Sequence, residues 1–365
     1  MNRLRKLHEA GVSIWLDSLS RDLLDSGRFA ELIAESAVTG ATSNPTIFAK
    51  ALAGSDLYDD QLAEVTAAGV RDPRELFFAI ALDDIRRAAD LLRPTYEASG
   101  GRDGFVSFEC TPDVADDTGA TVDQALELWA RIARPNAMVK VPATEAGLPA
   151  IEALTARGVN VNVTLLFSVD RYEQVIDAYV AGLERRVHAG APVGAIASVA
   201  SFFVSRIDAQ ADTVLPVGSR LRGRVAIANA QRAYARSRVR FSDQRWLALE
   251  RAGAHPQRPL WASTGTKDPA YSDVLYVEEL IAPGVINTMP EATLRAFADH
   301  GRIRPELTAD AGVAEATLRE AGEAGVDLAA ITRGLERAGV RAFCDSYREL
   351  LSRIESVLGR DAVAR

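Results

Sequence analysis

Ala137-Met138-Val139-Lys140-Val141-Pro142 is an apolar run interrupted by one ammonium and closed by a proline. Its length and composition read as a buried strand. An unpaired charge there is costly. The chain spends lysine sparingly: Lys6, Lys50, Lys140 and Lys267 are the whole set, and arginine supplies the other 38 of 42 basic residues. A primary amine kept inside a strand suggests chemistry closed to a guanidinium, namely attack on a carbonyl to form a Schiff base. The other reading of Lys140 is a lysine paired with a core carboxylate, or one snorkelling from the strand end.

Working outward from this run, short β-like segments alternate with longer helical patterns. Strands are expected at 12–17, 38–42, 105–109, 137–141, 159–164, 195–200, 260–263 and 285–288, which makes eight. Helix starts are expected at Asp72-Pro73-Arg74-Glu75, a capping box with proline in the first turn, and at Thr121-Val122-Asp123-Gln124 and Thr288-Met289-Pro290-Glu291. No glycine-rich phosphate loop follows the first strand. The alternation therefore predicts an α/β fold, a (β/α)8 TIM barrel, over an open doubly wound sheet. Residues 1–365 read as a single barrel domain, with helical insertions at about 43–103 and 208–258 and a helical tail at about 305–365. In that tail Val340, Phe343, Cys344, Tyr347, Leu351, Ile354 and Leu358 form an apolar stripe suited to packing on the barrel.

Polar residues cluster at the expected C-terminal ends of the strands, the end where such barrels hold their active sites. They are Asp17, Ser43 with Asn44, Glu109, Lys140, Asn162 with Thr164, Ser201, and Ser263. Singly, Asp17, Ser201 and Ser263 also suit helix caps, and Asn44 before Pro45 suits a turn. Jointly, seven of eight ends carrying polar groups point to one functional mouth.

Composition narrows the function classes. A chain of 365 residues with 48% hydrophobic content can bury a large core. The net charge of −8 and the lack of dense basic runs argue against nucleic acid or an anionic membrane as partner. No apolar h-region opens the chain and no stretch reaches a membrane span of roughly 18 residues, so the expectation is a cytoplasmic protein. Cys110 and Cys344 make no disulfide framework, and Cys110 reads as a buried structural cysteine sooner than a reactive thiol. His8, His188, His255 and His300 lack metal-ligand spacing, so no metal is expected. The segment from Ser263 to Lys267 lacks the spacing of a phosphate loop.

Three segments, in order, carry a family resemblance: Gly40-Ala41-Thr42-Ser43-Asn44-Pro45-Thr46, Met138-Val139-Lys140-Val141-Pro142-Ala143-Thr144, and Asn160-Val161-Asn162-Val163-Thr164-Leu165-Leu166-Phe167-Ser168. Over residues 11–300 the chain resembles transaldolases, and its helical tail is typical of their longer bacterial subgroup. The resemblance implies a Schiff-base-forming barrel without a cofactor, acting on sugar phosphates in the pentose phosphate pathway, and a homodimer. It implies that Lys140 forms the Schiff base, Asp17 is the acid/base, Glu109 works through a water, and Thr164 helps hold that water. Asn44, Asn162, Ser201, Phe203 and Arg206 match substrate-side positions, although the family commonly has Pro and Gly where this chain has Phe202 and Ser205. Ser263 matches a phosphate-binding serine. The arginine expected near it is missing, with Lys267 as its substitute.

The reaction so implied is transfer of dihydroxyacetone from sedoheptulose 7-phosphate to glyceraldehyde 3-phosphate, giving erythrose 4-phosphate and fructose 6-phosphate. The nearest alternative is a fructose-6-phosphate aldolase of the same superfamily. Those relatives are generally shorter, with Gln in place of Glu109 and Tyr in place of Phe203. A non-catalytic sugar-phosphate binding protein is the alternative of another class.

Overall fold

The computed structural model describes residues 2–53, 55–308 and 310–363, the last seven by backbone alone. Eight parallel strands close into a barrel in sequential order: β1 (Ser13–Leu16), β2 (Val38–Thr42), β3 (Phe105–Glu109), β4 (Ala137–Pro142), β5 (Val161–Leu166), β6 (Ser198–Phe203), β7 (Arg258–Ala262) and β8 (Ile286–Met289). Closure removes every sheet edge, and helices cover the outside. Nearly every strand residue is buried, as the continuous apolar runs require.

The lower interior is fixed by Trp15. It lies in register with Gly40 of β2, where a Cβ would come within 2.4 Å of the indole nitrogen, so only glycine fits. That nitrogen donates to Asp103 Oδ1 at 2.9 Å, which satisfies the one polar atom of a wholly buried ring.

Helices Pro45–Ala53, Asp59–Ala67 and Pro73–Ala98 fill the connection between β2 and β3, while Ser205–Val214, Val225–Arg240 and Gln244–Arg251 fill the one between β6 and β7. The terminal helix Leu328–Val363 packs on Pro45–Ala53 and so lies over the C-terminal mouth. Phe343, Tyr347 and Ile354 of the expected stripe are buried, together with Leu350; the side chain of Leu358 lies outside the described residues.

Several local expectations shift: β5, expected at 159–164, runs Val161–Leu166, which puts Asn162 and Thr164 inside the strand, and β7, expected at 260–263, runs Arg258–Ala262. β6 starts at Ser198 instead of 195, because Ile196 closes a turn onto Val193 and the Ala197 amide is taken by the Asn160 side chain. Ser201 consequently stands within the strand. The helix expected at Thr121 begins at Thr118, capped by Asp117, whose carboxylate accepts from the Ala120 amide. Thr288 belongs to β8, and the following helix begins at Glu291. Asp72 caps its helix as the sequence indicates, accepting from the Arg74 and Glu75 amides.

Candidate active site

Parallel register sets the site. Glu109 pairs with Lys140, Lys140 with Asn162, and Pro142 with Thr164, so polar side chains on alternate residues rise together into the barrel. Lys140 Nζ donates to Glu109 Oε2 at 3.2 Å and to the Ser43 carbonyl at 3.1 Å. Both side chains of the pair are about 95% buried (6% and 5% exposed). Burial raises the Glu109 carboxyl above its ordinary range, the Lys140 charge opposes this, and Asp17 adds to the rise. Both open readings of Lys140 therefore meet at one residue: it is paired with a core carboxylate, and it faces a cavity.

That cavity, about 330 Å³, opens at the C-terminal ends of the strands, and its size suits a small organic molecule. Lys140, Thr164, Ser201 and Phe203 line it as buried residues, Asp17, Asn44, Arg206 and Ser263 as half-buried ones, and Lys267 lies at its exposed outer part. Asp17 accepts from Thr42 Oγ1 at 2.9 Å, and Thr42 is 3.3 Å from Thr288 Oγ1. Thr164 Oγ1 is buried with no hydrogen-bond partner among the described residues. Such a hydroxyl is costly unless it meets water or a ligand, and Thr164 is on the cavity wall.

Two amides are already engaged. Asn44 Oδ1 caps the helix Pro45–Ala53 by accepting from the Ile47 amide at 3.0 Å, although its side chain also borders the cavity. Asn162, fully buried, lies below the cavity in a chain of bonds: Ser201 Oγ donates to its oxygen at 2.7 Å, and its amide donates to Ser107 Oγ at 2.9 Å.

The outer part is cationic. Arg206 stacks over the Phe203 ring at 5.4 Å, and burial lowers its proton affinity, partly offset by Asp17. Ser263 adopts φ +57°, a strained conformation for a residue with a Cβ, and its Oγ lies 3.0 Å from Ser205 Oγ. Lys50, on the helix after Asn44, and Phe343, from the terminal helix, also line the cavity. Neither is foreseen from the sequence. Lys50 had a usable signal: in a chain that otherwise writes arginine, three of its four lysines, Lys50, Lys140 and Lys267, converge on this cavity. Phe343 had none, since its helical spacing reports only a buried face.

Comparison with known proteins agrees with this geometry. Residues 14–354 match the family model described as transaldolase/fructose-6-phosphate aldolase. A protein named transaldolase from Parafrankia sp. (strain EAN1pec) is 51% identical over 365 residues, covering 98% of this chain and 99% of that protein. Another so named, from Thermobifida fusca (strain YX), is 51% identical over 97% of this chain and 98% of its own length. A third, from Mycobacterium bovis (strain ATCC BAA-935 / AF2122/97), is 50% identical over 95% of each. With a closed barrel, a lysine at the C-terminal end of its fourth strand and a match along nearly its whole length, the chain belongs to the transaldolase/fructose-6-phosphate aldolase family.

Proposed function

We propose that this chain is a transaldolase that moves a dihydroxyacetone unit from sedoheptulose 7-phosphate to glyceraldehyde 3-phosphate through an imine on Lys140. The observation that carries the reading is a strand lysine bonded to a fully buried carboxylate and opening on a cavity with a cationic outer part. The unprotonated amine attacks the donor C2 carbonyl. Glu109, whose burial favours its protonated form, takes up and returns protons as the carbinolamine forms and loses water. The unpartnered Thr164 hydroxyl suits a hold on that water.

The iminium then serves as the electron sink. Asp17 removes the C4 hydroxyl proton, the C3–C4 bond breaks, and its electron pair moves into an enamine on Lys140 while the aldose phosphate leaves. Addition of the enamine to the acceptor aldehyde reverses these steps, and hydrolysis frees Lys140. Two carboxylates in different surroundings divide the proton transfers. Asn44 and Ser201 bind substrate hydroxyls, Asn162, expected to do the same, instead orients Ser201 from below the cavity, and Phe203 walls the chain of carbons. Ser263, Arg206 and Lys267 bind the phosphate, with Lys50 as a further cation at that end.

We also read residues 1–365 as one barrel domain, placed in the cytoplasm in the pentose phosphate pathway and working as a homodimer, which light scattering of the purified chain would test. Fructose 6-phosphate supplied with and without erythrose 4-phosphate tests the reaction. Turnover that depends on the acceptor is expected. Release of free dihydroxyacetone at the same rate without acceptor would make the chain an aldolase, and no turnover of either kind would leave a sugar-phosphate binding protein.

A further inference from the structure

The opposite end of the barrel holds a second and larger cavity, about 600 Å³, between the N-terminal ends of β1, β3, β4, β6 and β7. That face of such barrels ordinarily serves stability. Here it contains an unanswered polar atom. Ser198 Oγ donates to the Val161 carbonyl at 2.8 Å, so towards Gln257, also at 2.8 Å, it can only accept. This fixes the Gln257 amide with its nitrogen on Ser198. Its oxygen is then left without a partner among the described residues, on a side chain 1% exposed that lines the cavity.

The walls and rim complete a site. Tyr234, Phe241 and Trp246 form an aromatic side, with Phe241 and Trp246 edge to face at 4.9 Å. Arg102 and Arg238 stand exposed at the rim, and neither guanidinium is in an ion pair among the described residues. The acids nearby do not cancel them. Asp103, bonded to Ser13 and Trp15, has the Arg258 charge 3.9 Å away, which leaves Glu250 as the one other acid of the lining among the described residues, against two rim arginines. Arg258 is held by the carbonyls of Arg102, Gly284 and Val285 and by Ser13, which makes it part of the floor.

We propose that this mouth binds a nucleoside phosphate. A planar base with an N–H donor meets the Gln257 oxygen and packs on Tyr234, Phe241 and Trp246. Its phosphate meets Arg102 and Arg238, and the cavity is of the size that holds such a molecule. Because Lys140 opens at the other end of the barrel, this ligand does not compete with a sugar phosphate there.

The test titrates the full chain with adenosine 5′-monophosphate, by calorimetry and by intrinsic tryptophan fluorescence. Saturable one-to-one binding is expected, unchanged by excess fructose 6-phosphate and weakened at least about tenfold in Gln257→Leu and in Arg238→Glu. With the Lys140 cavity filled by excess fructose 6-phosphate, ribose 5-phosphate, which lacks the base, should bind at least about tenfold more weakly. The proposal falls if binding does not saturate by about 10 mM, a range that already marks very weak affinity. It falls equally if fructose 6-phosphate displaces the nucleotide, if ribose 5-phosphate binds as well, or if either variant that folds binds normally. Arg238 is exposed, so Arg238→Glu decides the matter should Gln257→Leu fail to fold.

Discussion

A lysine that attacks a carbonyl must first give up a proton, and Glu109 is in contact to take it. Asp17 stands elsewhere in the cavity, bonded to Thr42, and in the proposed cycle serves the carbon–carbon step. The two variants should therefore stop at different points. With fructose 6-phosphate and early borohydride quenching, Asp17→Asn should accumulate the six-carbon adduct on Lys140. Glu109→Gln should show little adduct of any size. Mass spectrometry separates these outcomes, and identical profiles would refute the division. Since Lys50 and Lys267 share the cavity, label on either of them would remove Lys140 from its role.

The same cavity makes a case for Lys50. In the proposed cycle it supplies part of the positive charge that a missing arginine near Ser263 would bring, and its contribution there is binding of the phosphate. Lys50→Ala should raise KM for sugar phosphates by about tenfold while kcat stays within about twofold, the signature of lost uniform binding. Steady-state kinetics decide it. A large fall in kcat at unchanged KM would instead put Lys50 among the groups that act in the transition state.

At the scale of elements, the helix Ser205–Val214 links site and scaffold. Arg206 in its first turn reaches the cavity, while Asp208, two residues on in the same turn and so on another face, holds the start of the helix Val225–Arg240 by accepting from the Ala226 amide at 2.8 Å. Tyr276 donates to its other oxygen at 2.9 Å. Burial outweighs these bonds and pushes the Asp208 carboxyl up to about 7. An acid whose folded pKa exceeds its unfolded value binds a proton more tightly when folded, so its contribution to stability is greatest below about pH 4 and is lost as pH rises to about 7. Asp208→Asn keeps an acceptor for Ala226 and removes the titration. Between those limits the wild type should lose about 2–4 kcal/mol relative to the variant. Urea midpoints measured across that range check it, and parallel pH profiles would refute it.

What the sequence makes legible at this scale depends on how local the signal is. β2 and β3 fall where their apolar runs begin and end, and Asp72 caps its helix because cap and amides are neighbours in the chain. β6 is displaced because 195–197 is as apolar as a strand, and only a distant partner, Asn160, diverts its backbone. Lys140, Asp17 and Glu109 are legible in the same way: each is an ionisable residue at the end of an apolar run. Phe343 reaches the cavity only through the packing of a helix nearly 200 residues further along, which no local pattern records.

For the molecule as a whole, the helices between β2 and β3 are packed on the barrel by apolar side chains and tied to it by a buried ionic cluster. Arg21, just after β1, donates from Nε to Asp84 at 2.5 Å and from Nη2 to Gln61 at 2.6 Å; Tyr58 donates to the other Asp84 oxygen at 3.0 Å. Arg21 and Asp84 stand 63 residues apart, so the insertion is legible as helical while its anchor is not. Asp84 is fully buried, and burial raises its carboxyl even against the Arg21 charge. A buried pair of this kind need not stabilise more than apolar groups in its place, yet removing one member leaves the other charge without compensation. Arg21→Ala should therefore cost about 3–5 kcal/mol in urea unfolding. Arg21→Met combined with Asp84→Asn, which removes both charges and keeps an acceptor for Tyr58, should cost clearly less than Arg21→Ala alone. If the double variant is as unstable as the single one, or less stable, the cluster is a net source of stability and the desolvation argument for it fails.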